Sequence, residues 1–336
     1  LLPRCLENTV RRRVQHIGEV RIVLEDVLSG VAAGPAEPGA PVAPARSGRE
    51  RLAWAAAVAL LVLTAVALVI GFVLRAPKPL QQTRQTAEIG ADASLYTLFG
   101  PAAILSPDGT RLALVASGSD QKRRIYIRSL NQLQATALSG TENARNPFFS
   151  PDGQWLAFFA DSKLKKISVQ GGAAVTLCDA PNDRGGSWGD DGTIVFTPDT
   201  TVPLSKVSSA GGTPQPLTTL DKQAGEVTQR WPQVLPGGKA VLFTSGTNLN
   251  NLEDAEIVVH SMNSGQRKTV QRGGFHARYL FSGHLAYMHE GTLFGVPFDL
   301  QRLEVTGQPA PILEGVLTTP GNGGAQFSFS DIGNLV

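Results

Sequence analysis

Cysteine is almost missing from this chain: Cys5 and Cys178 are the two in 336 residues. That excludes a disulfide scaffold and a cysteine-based metal centre. A charge excess is missing too, with 30 basic side chains against 28 acidic ones and a formal net charge of +2. No global field therefore points to nucleic acid or to acidic substrates. Disorder is excluded by composition, because 42% of residues are hydrophobic and 17% charged, the balance of a chain that buries a core. Between Leu52 and Leu74 charge disappears altogether, and the two cysteines fall on opposite sides of that run, so they cannot meet in one disulfide.

The uncharged run is 23 residues long, mostly Ala, Val and Leu. As a helix it spans roughly 35 Å, against about 30 Å of bilayer hydrocarbon, which predicts a single transmembrane helix over residues 52–74 with the lipid bilayer as its partner. A secretory signal would lie near the N-terminus with an apolar core of only about 7 to 15 residues, whereas here a long mixed segment comes first. Arg46, Arg49 and Arg51 on one flank balance Arg75, Lys78 and Arg84 on the other. Flanking charge therefore does not orient the span. Residues 30–51 carry Pro35, Pro38, Pro41 and Pro44 among Ala and Gly and read as an extended juxtamembrane linker. Within residues 1–29, Ile17, Val20, Leu24, Val27 and Leu28 recur at helical spacing and predict a short amphipathic helix that needs a partner.

Beyond the apolar run the pattern changes to short strands and turns, and a unit repeats. It reads Leu105-Ser-Pro-Asp-Gly-Thr-Arg-Leu-Ala-Leu-Val115, then Phe149-Ser-Pro-Asp-Gly-Gln-Trp-Leu-Ala-Phe-Phe159. Looser copies follow at Trp188 to Phe196, Val234 to Phe243, Phe281 to Tyr287 and Phe329 to Val336. The turn glycines Gly109, Gly153, Gly192, Gly238, Gly283 and Gly333 are 44, 39, 46, 45 and 50 residues apart. A period of about 45 with such a turn is the mark of propeller blades. Proline presets the first turn dihedral, aspartate bonds the backbone two residues on, and glycine accepts positive φ. The fold expected is all-β: a β-propeller of four-stranded antiparallel blades, about six of them with the last truncated, over residues 101–336. Residues 75–100 form a connector in which Thr86 to Leu98 is a candidate closing strand. The opening at Leu1 rather than Met, and the stop at Val336 within a strand-like run, lead us to expect a piece of a longer product.

The Ser-Pro-Asp-Gly turn ahead of an apolar strand resembles the Pro-Asp propeller repeats of the TolB family and of the propellers of prolyl oligopeptidase relatives. All four letters stand in the first two units. Asp190, Pro236, Gly283 or Asp331 replaces an expected residue in the others. The segment Arg4-Cys-Leu-Glu-Asn-Thr-Val-Arg-Arg-Arg-Val-Gln-His-Ile-Gly18 resembles the end of a bacterial serine/threonine protein kinase domain. Asn8, Thr9 and Val10 stand there in place of the family's Lys-Asp-Pro. Arg13 falls at that family's structural arginine.

The order of kinase-like tail, linker, span and propeller is also similar to an arrangement known in bacterial receptor kinases. It implies a single-pass protein of the cell membrane, with a cytoplasmic N-terminus and an extracytoplasmic propeller that senses a protein or small-molecule ligand. Its alternative is a non-catalytic tethered scaffold that binds envelope proteins. A peptidase cap would need a hydrolase domain after Val336. The parts of a kinase that do chemistry, the Gly-rich loop, Val-Ala-Ile-Lys, His-Arg-Asp and Asp-Phe-Gly, are not in this sequence. ATP and magnesium are expected only with the missing core, and no residue is assigned to catalysis, a cofactor or a metal.

Four groups invite chemical readings. Gly185-Gly-Ser-Trp-Gly189 matches the hydrolase nucleophile pattern at Ser187, but that motif needs a strand, a sharp turn and a helix. Here another turn and strand follow Ser187. His276, His284, His289 and Glu290 are the densest group of metal-ligand types, without any recognised zinc spacing, and read as surface or loop residues. Asp108, Asp152 and Asp191 could ring a cation, yet their repeated place in the turn accounts for them. The basic runs Lys122, Arg123, Arg124, Arg128 and Lys163, Lys165, Lys166 read as solvated strand faces or edges, with an anion-binding surface as the alternative.

Overall fold

The computed structural model describes residues 48–74 and 88–336, and within the helix the side chains of 54–67. The amphipathic helix expected in residues 1–29, the linker up to residue 47 and the connector over 75–87 lie outside the described residues. Two units divide the chain, residues 1–84 and 85–336.

In the first unit one helix, α1, runs Gly48–Leu74. It starts four residues before the uncharged run and stops where Arg75 begins. The large apolar side chains described in it are exposed, Leu61 at 71% and Trp54 at 69%. Among the described residues no helix is long and apolar enough to cross a membrane. The span expected over 52–74 extends past the described side chains on both sides.

Among the described residues the second unit is built from five antiparallel blade sheets and one two-stranded ladder, with strands consecutive in the chain mostly neighbours; in the fifth blade Ala310–Glu314 pairs with Thr292–Asp299 past the short Glu304–Val305. The first blade contains Ala103–Leu105, Arg111–Gly118, Arg123–Ser129 and Thr136–Ala137. The second contains Arg145–Phe149, Trp155–Ala160, Lys163–Ser168 and Val175–Asp179, and the third Gly186–Trp188, Thr193–Phe196, Ser205–Ser208 and Gln215–Pro216. Thr228–Val234, Ala240–Gly246, Glu256–Ser261 and Arg267–Arg272 form the fourth. Phe275–Leu280, His284–His289, Thr292–Asp299 and Ala310–Glu314 form the fifth. After it comes the small ladder of Thr318–Thr319 with Gly324–Ala325, and then a segment to Val336 that repeats the turn at Ser330 to Asn334.

Blades need one another because both faces of their second strands are apolar. In Trp155–Ala160, Leu156, Phe158 and Ala160 pack with Ile104, Ala113 and Ile125 of the first blade. The alternate residues Ala157 and Phe159 pack with Ile194, Phe196 and Val207 of the third. Period-two alternation thus serves two neighbours instead of separating core from water. Truncating a fully buried phenylalanine such as Phe159 would cost about 3–5 kcal/mol.

The repeated turn forms as its chemistry requires. In the first blade Asp108 accepts from the Ser106 hydroxyl at 2.5 Å and from the Thr110 amide at 3.0 Å, while Gly109 sits at φ +67°. The second repeats it with Ser150, Asp152 and Gln154, and Gly153 at φ +65°. In the third blade Asp191 keeps the aspartate role toward Thr193, so the substitution at Asp190 leaves the turn intact.

Ala93–Leu95, inside the candidate closing strand, does not add to a last blade but pairs with the second strand of the first, Ala93 opposite Gly118 and Leu95 opposite Ala116. Ile89, Ala91 and Ala93 pack there against a cluster that includes Leu112 and Leu114.

Candidate functional site

The innermost strand of each blade lines one central channel of about 350 Å³. It is bounded by Pro101 to Pro107 in the first blade, Asn146 to Pro151 in the second, Gly185 to Asp190 in the third, Trp231 to Pro236 in the fourth and Arg278 to Phe281 in the fifth. Phe327 to Asp331 supplies the remaining wall. Side chains stitch neighbouring inner strands together. Ser187 Oγ accepts the Val234 amide at 2.9 Å, Gln233 Oε1 accepts the Tyr279 amide at 2.6 Å and Ser328 Oγ accepts the Leu105 amide at 3.2 Å. Gln326 joins the last segment to the first blade by accepting from Ala102 at 2.7 Å and donating to the Gly100 carbonyl at 2.8 Å. Such polar stitching places each wall in register without burying unpaired backbone groups.

The end where the inner strands begin is closed by Trp231. Its indole packs against Gly185 and Gly323 and donates from Nε1 to the Asn322 carbonyl at 2.9 Å. A Cβ at Gly185 would stand 2.5 Å from the indole, so glycine is required there both for space and for its φ of +86°. Asn146, Trp231 and His276 take left-handed backbone conformations at matching places in their blades, each beside a break in strand register. These are bulges, which turn side chains out of the sheet plane and across the axis. The Trp231 and His276 rings lie 4.9 Å apart, and His276 and Phe327 5.2 Å.

Arginine recurs at this closed end. Arg145 donates to Asp183 at 2.5 Å, and Asp183 also accepts from Asn146 at 2.6 Å. Arg184 and Arg230 donate instead to neutral oxygens: Arg184 to Asn182 and the Asp183 carbonyl, Arg230 to Thr228 and the carbonyls of Gly321 and Leu249. Arg278 lines the channel and donates from Nη1 to the Trp231 carbonyl at 3.0 Å and its neighbour Ala277 at 2.9 Å. Burial lowers the Arg230 and Arg278 pKa values to about 10, and both stay cationic at neutral pH.

The residues singled out in sequence are dispersed. Ser187 lies on an inner strand, and a turn and the strand Thr193–Phe196 follow it, so the setting of a nucleophile elbow is not formed. His276 corrects its reading as a surface or loop residue: it is fully buried at the closed end, turned inward by its bulge. His284 is exposed, and His289 Nδ1 lies 3.6 Å from Glu253. Asp108 and Asp152 are held below their ordinary pKa by serine hydroxyls and backbone amides of their own turns.

Most of the basic runs find partners. Arg124 pairs with Asp120 and Glu142, Lys163 with Asp179, and Lys165 with Asp161. Arg123 lies 4.3 Å from the Tyr96 ring and Lys166 4.8 Å from the Trp155 ring. Arg128 corrects the solvated-face reading, because it is buried and donates to the Glu88 carbonyl. Sequence reasoning missed Trp231 and Arg278, which line the channel, and also Arg145, Arg184 and Arg230, these three each five residues before the opening residue of its turn. That phase within the repeat was the signal available.

No family model matches the chain, and no curated protein does. Similarity appears among solved structures. A TolB protein of Agrobacterium tumefaciens is 16% identical with a TM-score of 0.51, over 70% of this chain and 87% of that one. TolB of Acinetobacter baumannii is 12% identical with a TM-score of 0.49, over 67% of this chain and 55% of its own. What the chain shares with TolB is the β-propeller fold.

Proposed function

We propose that the propeller is the ligand-sensing domain of a membrane-anchored serine/threonine protein kinase. In this reading α1 crosses the membrane, the kinase core precedes the Arg4 to Gly18 segment on the cytoplasmic side, and the channel and its open rim bind a protein or small molecule outside. The observation that carries it is the order of segments: kinase-like tail, proline-rich linker, a 23-residue uncharged run and then a propeller with a ligand-sized channel. A helix that short carries a signal only if ligand binding changes how the propeller holds it or pairs it with another copy.

The test is magnesium-dependent autophosphorylation of the full-length gene product in membranes, with protease protection of the propeller in sealed cells. Phosphate incorporation that is lost on replacing the catalytic-loop aspartate, together with cleavage from outside, is the expected result. A protein without phosphotransfer but with an outward propeller overturns the kinase reading in favour of a tethered scaffold for envelope proteins.

A further inference from the structure

Arg278 is a cation held without a counter-charge. Its Nη1 is spent on two carbonyl oxygens, those of Trp231 and Ala277. Nε and Nη2 have no protein partner among the described residues, yet neither is sealed from solvent, so they open on the channel that the residue lines. Leaving a guanidinium in a walled cavity without an anion is costly. Arg230 at the same end is met more fully, by the Thr228 hydroxyl and the carbonyls of Gly321 and Leu249.

The surroundings favour an anion further. Arg184 and Arg230 also lack carboxylate bonds, and the closed end sets four arginines against the buried Asp183, which Arg145 occupies, with Asp199 acting on Arg184 from farther away. Low-dielectric walls focus that excess into the cavity. Two hydroxyls are available beside it. Ser187 and Ser328 each accept a backbone amide, which leaves each hydroxyl proton to be donated into the channel they line. Phe148, Trp188, Tyr279 and Phe327 complete an apolar wall. Asp190 and Asp331 also line the channel, which disfavours a ligand with several negative charges.

We propose that the channel binds a small ligand with a single carboxylate head seated on Arg278 and an apolar body against the aromatic wall. This rests on the reading of the channel as the propeller's binding site, and it names the ligand class. The arrangement sets a few convergent polar groups beside an aromatic wall, as ligand sites do. Charge-assisted hydrogen bonds to a guanidinium provide both the affinity and the orientation.

The experiment titrates the full chain with phenylacetate and, separately, with its neutral isostere phenylacetamide, following tryptophan fluorescence from Trp188 and Trp231. The acid is expected to bind about tenfold more tightly or better. Arg278→Gln should reduce its affinity to that of the amide, and Arg278→Lys should retain part of the preference. Equal binding of acid and amide to the unaltered chain overturns the carboxylate inference and leaves the channel a binding site. Absence of binding by either probe overturns the channel reading and the inference together. Should Arg278→Gln fail to fold, as near-ultraviolet circular dichroism would reveal, the comparison on the unaltered chain and on Ser187→Ala decides.

Discussion

The indole of Trp231 lies 4.9 Å from the imidazole of His276, centroid to centroid, and the pair stops the channel at one end. Both residues hold left-handed backbone conformations, φ +55° and +53°. Non-glycine residues are uncommon there, and such conformations persist only where the surroundings impose them. In both blades the imposing feature is a register break that turns a ring across the axis. The stopper is therefore built by the inner strands themselves and not by an added loop.

Trp231→Ala should destabilise the propeller by about 3–5 kcal/mol, because the ring is fully buried and the glycines around it cannot fill the space. Trp231→Phe should cost less, since it keeps an aromatic body and loses the bond to the Asn322 carbonyl. Chemical denaturation of the three proteins measures the order. An alanine variant as stable as the parent would mean that the indole is not what holds this end together.

Much of this fold was legible because the turn repeats. Ser106, Asp108 and Gly109 recur as Ser150, Asp152 and Gly153, and each set makes the bonds its chemistry predicts. Spacing between turns then gave the blades. The channel was not legible in the same way, since its lining depends on bulges that shift Asn146, Trp231 and Arg278 out of strict alternation. A period-two reading places such residues on a blade face. His276 was misread for that reason: as a histidine in a polar stretch it resembles a loop residue, while its backbone turns it into the interior. Burial of Arg128 was hidden likewise, because its acceptor is a backbone carbonyl 40 positions away.

Cys178 should be nearly inert in the folded chain. It lies in the interface between the second and third blades, and burial, with the Asp179 carboxylate beside it, pushes its thiol up to about 11. Thiolate at neutral pH is then about 100-fold scarcer than for a thiol at its ordinary value of 9.0. Peptide mapping after iodoacetamide should find Cys178 unmodified in native protein and modified after denaturation. Comparable rates in the two states would place the side chain at the surface.

Glu226 sets one part of the acid stability. Burial alone would raise its carboxyl, but Arg267 donates to both oxygens at 2.8 Å, and Ser245 and the Asp221 amide add further bonds, so the group is held below its ordinary value. A depressed carboxyl contributes stability that is whole above the ordinary value near 4.5 and is lost as pH falls through the folded value. Glu226→Gln should cost about 1–3 kcal/mol at neutral pH, since it leaves the partly exposed Arg267 without its counter-charge. The gap between variant and parent should close as pH drops below that ordinary value. A gap independent of pH would show that the carboxylate charge is not what Arg267 recognises.

His276 acts at higher pH and with the same sign. Burial, and then the charge of Arg278, hold the imidazole well below its ordinary value of 6.5, so the folded protein keeps it neutral. Its Nδ1 lies 3.2 Å from the Gly323 carbonyl, which only an N–H can satisfy, and Nε2 is left bare and buried without a partner. The unfolded chain takes up a proton below 6.5 and the folded one does not. Stability should therefore fall from that value downward, by up to about 1.4 kcal/mol per pH unit from this group. His260, lowered by burial and by Arg267, adds in the same direction, so His260→Asn serves as the reference background. In that background His276→Phe keeps a ring between Trp231 and Phe327 and should flatten the slope between 6.5 and the carboxylate range. If the slope survives the substitution unchanged, the imidazole is protonated in the folded state, and the closed end of the channel must then hold an anion or water that stabilises its charge.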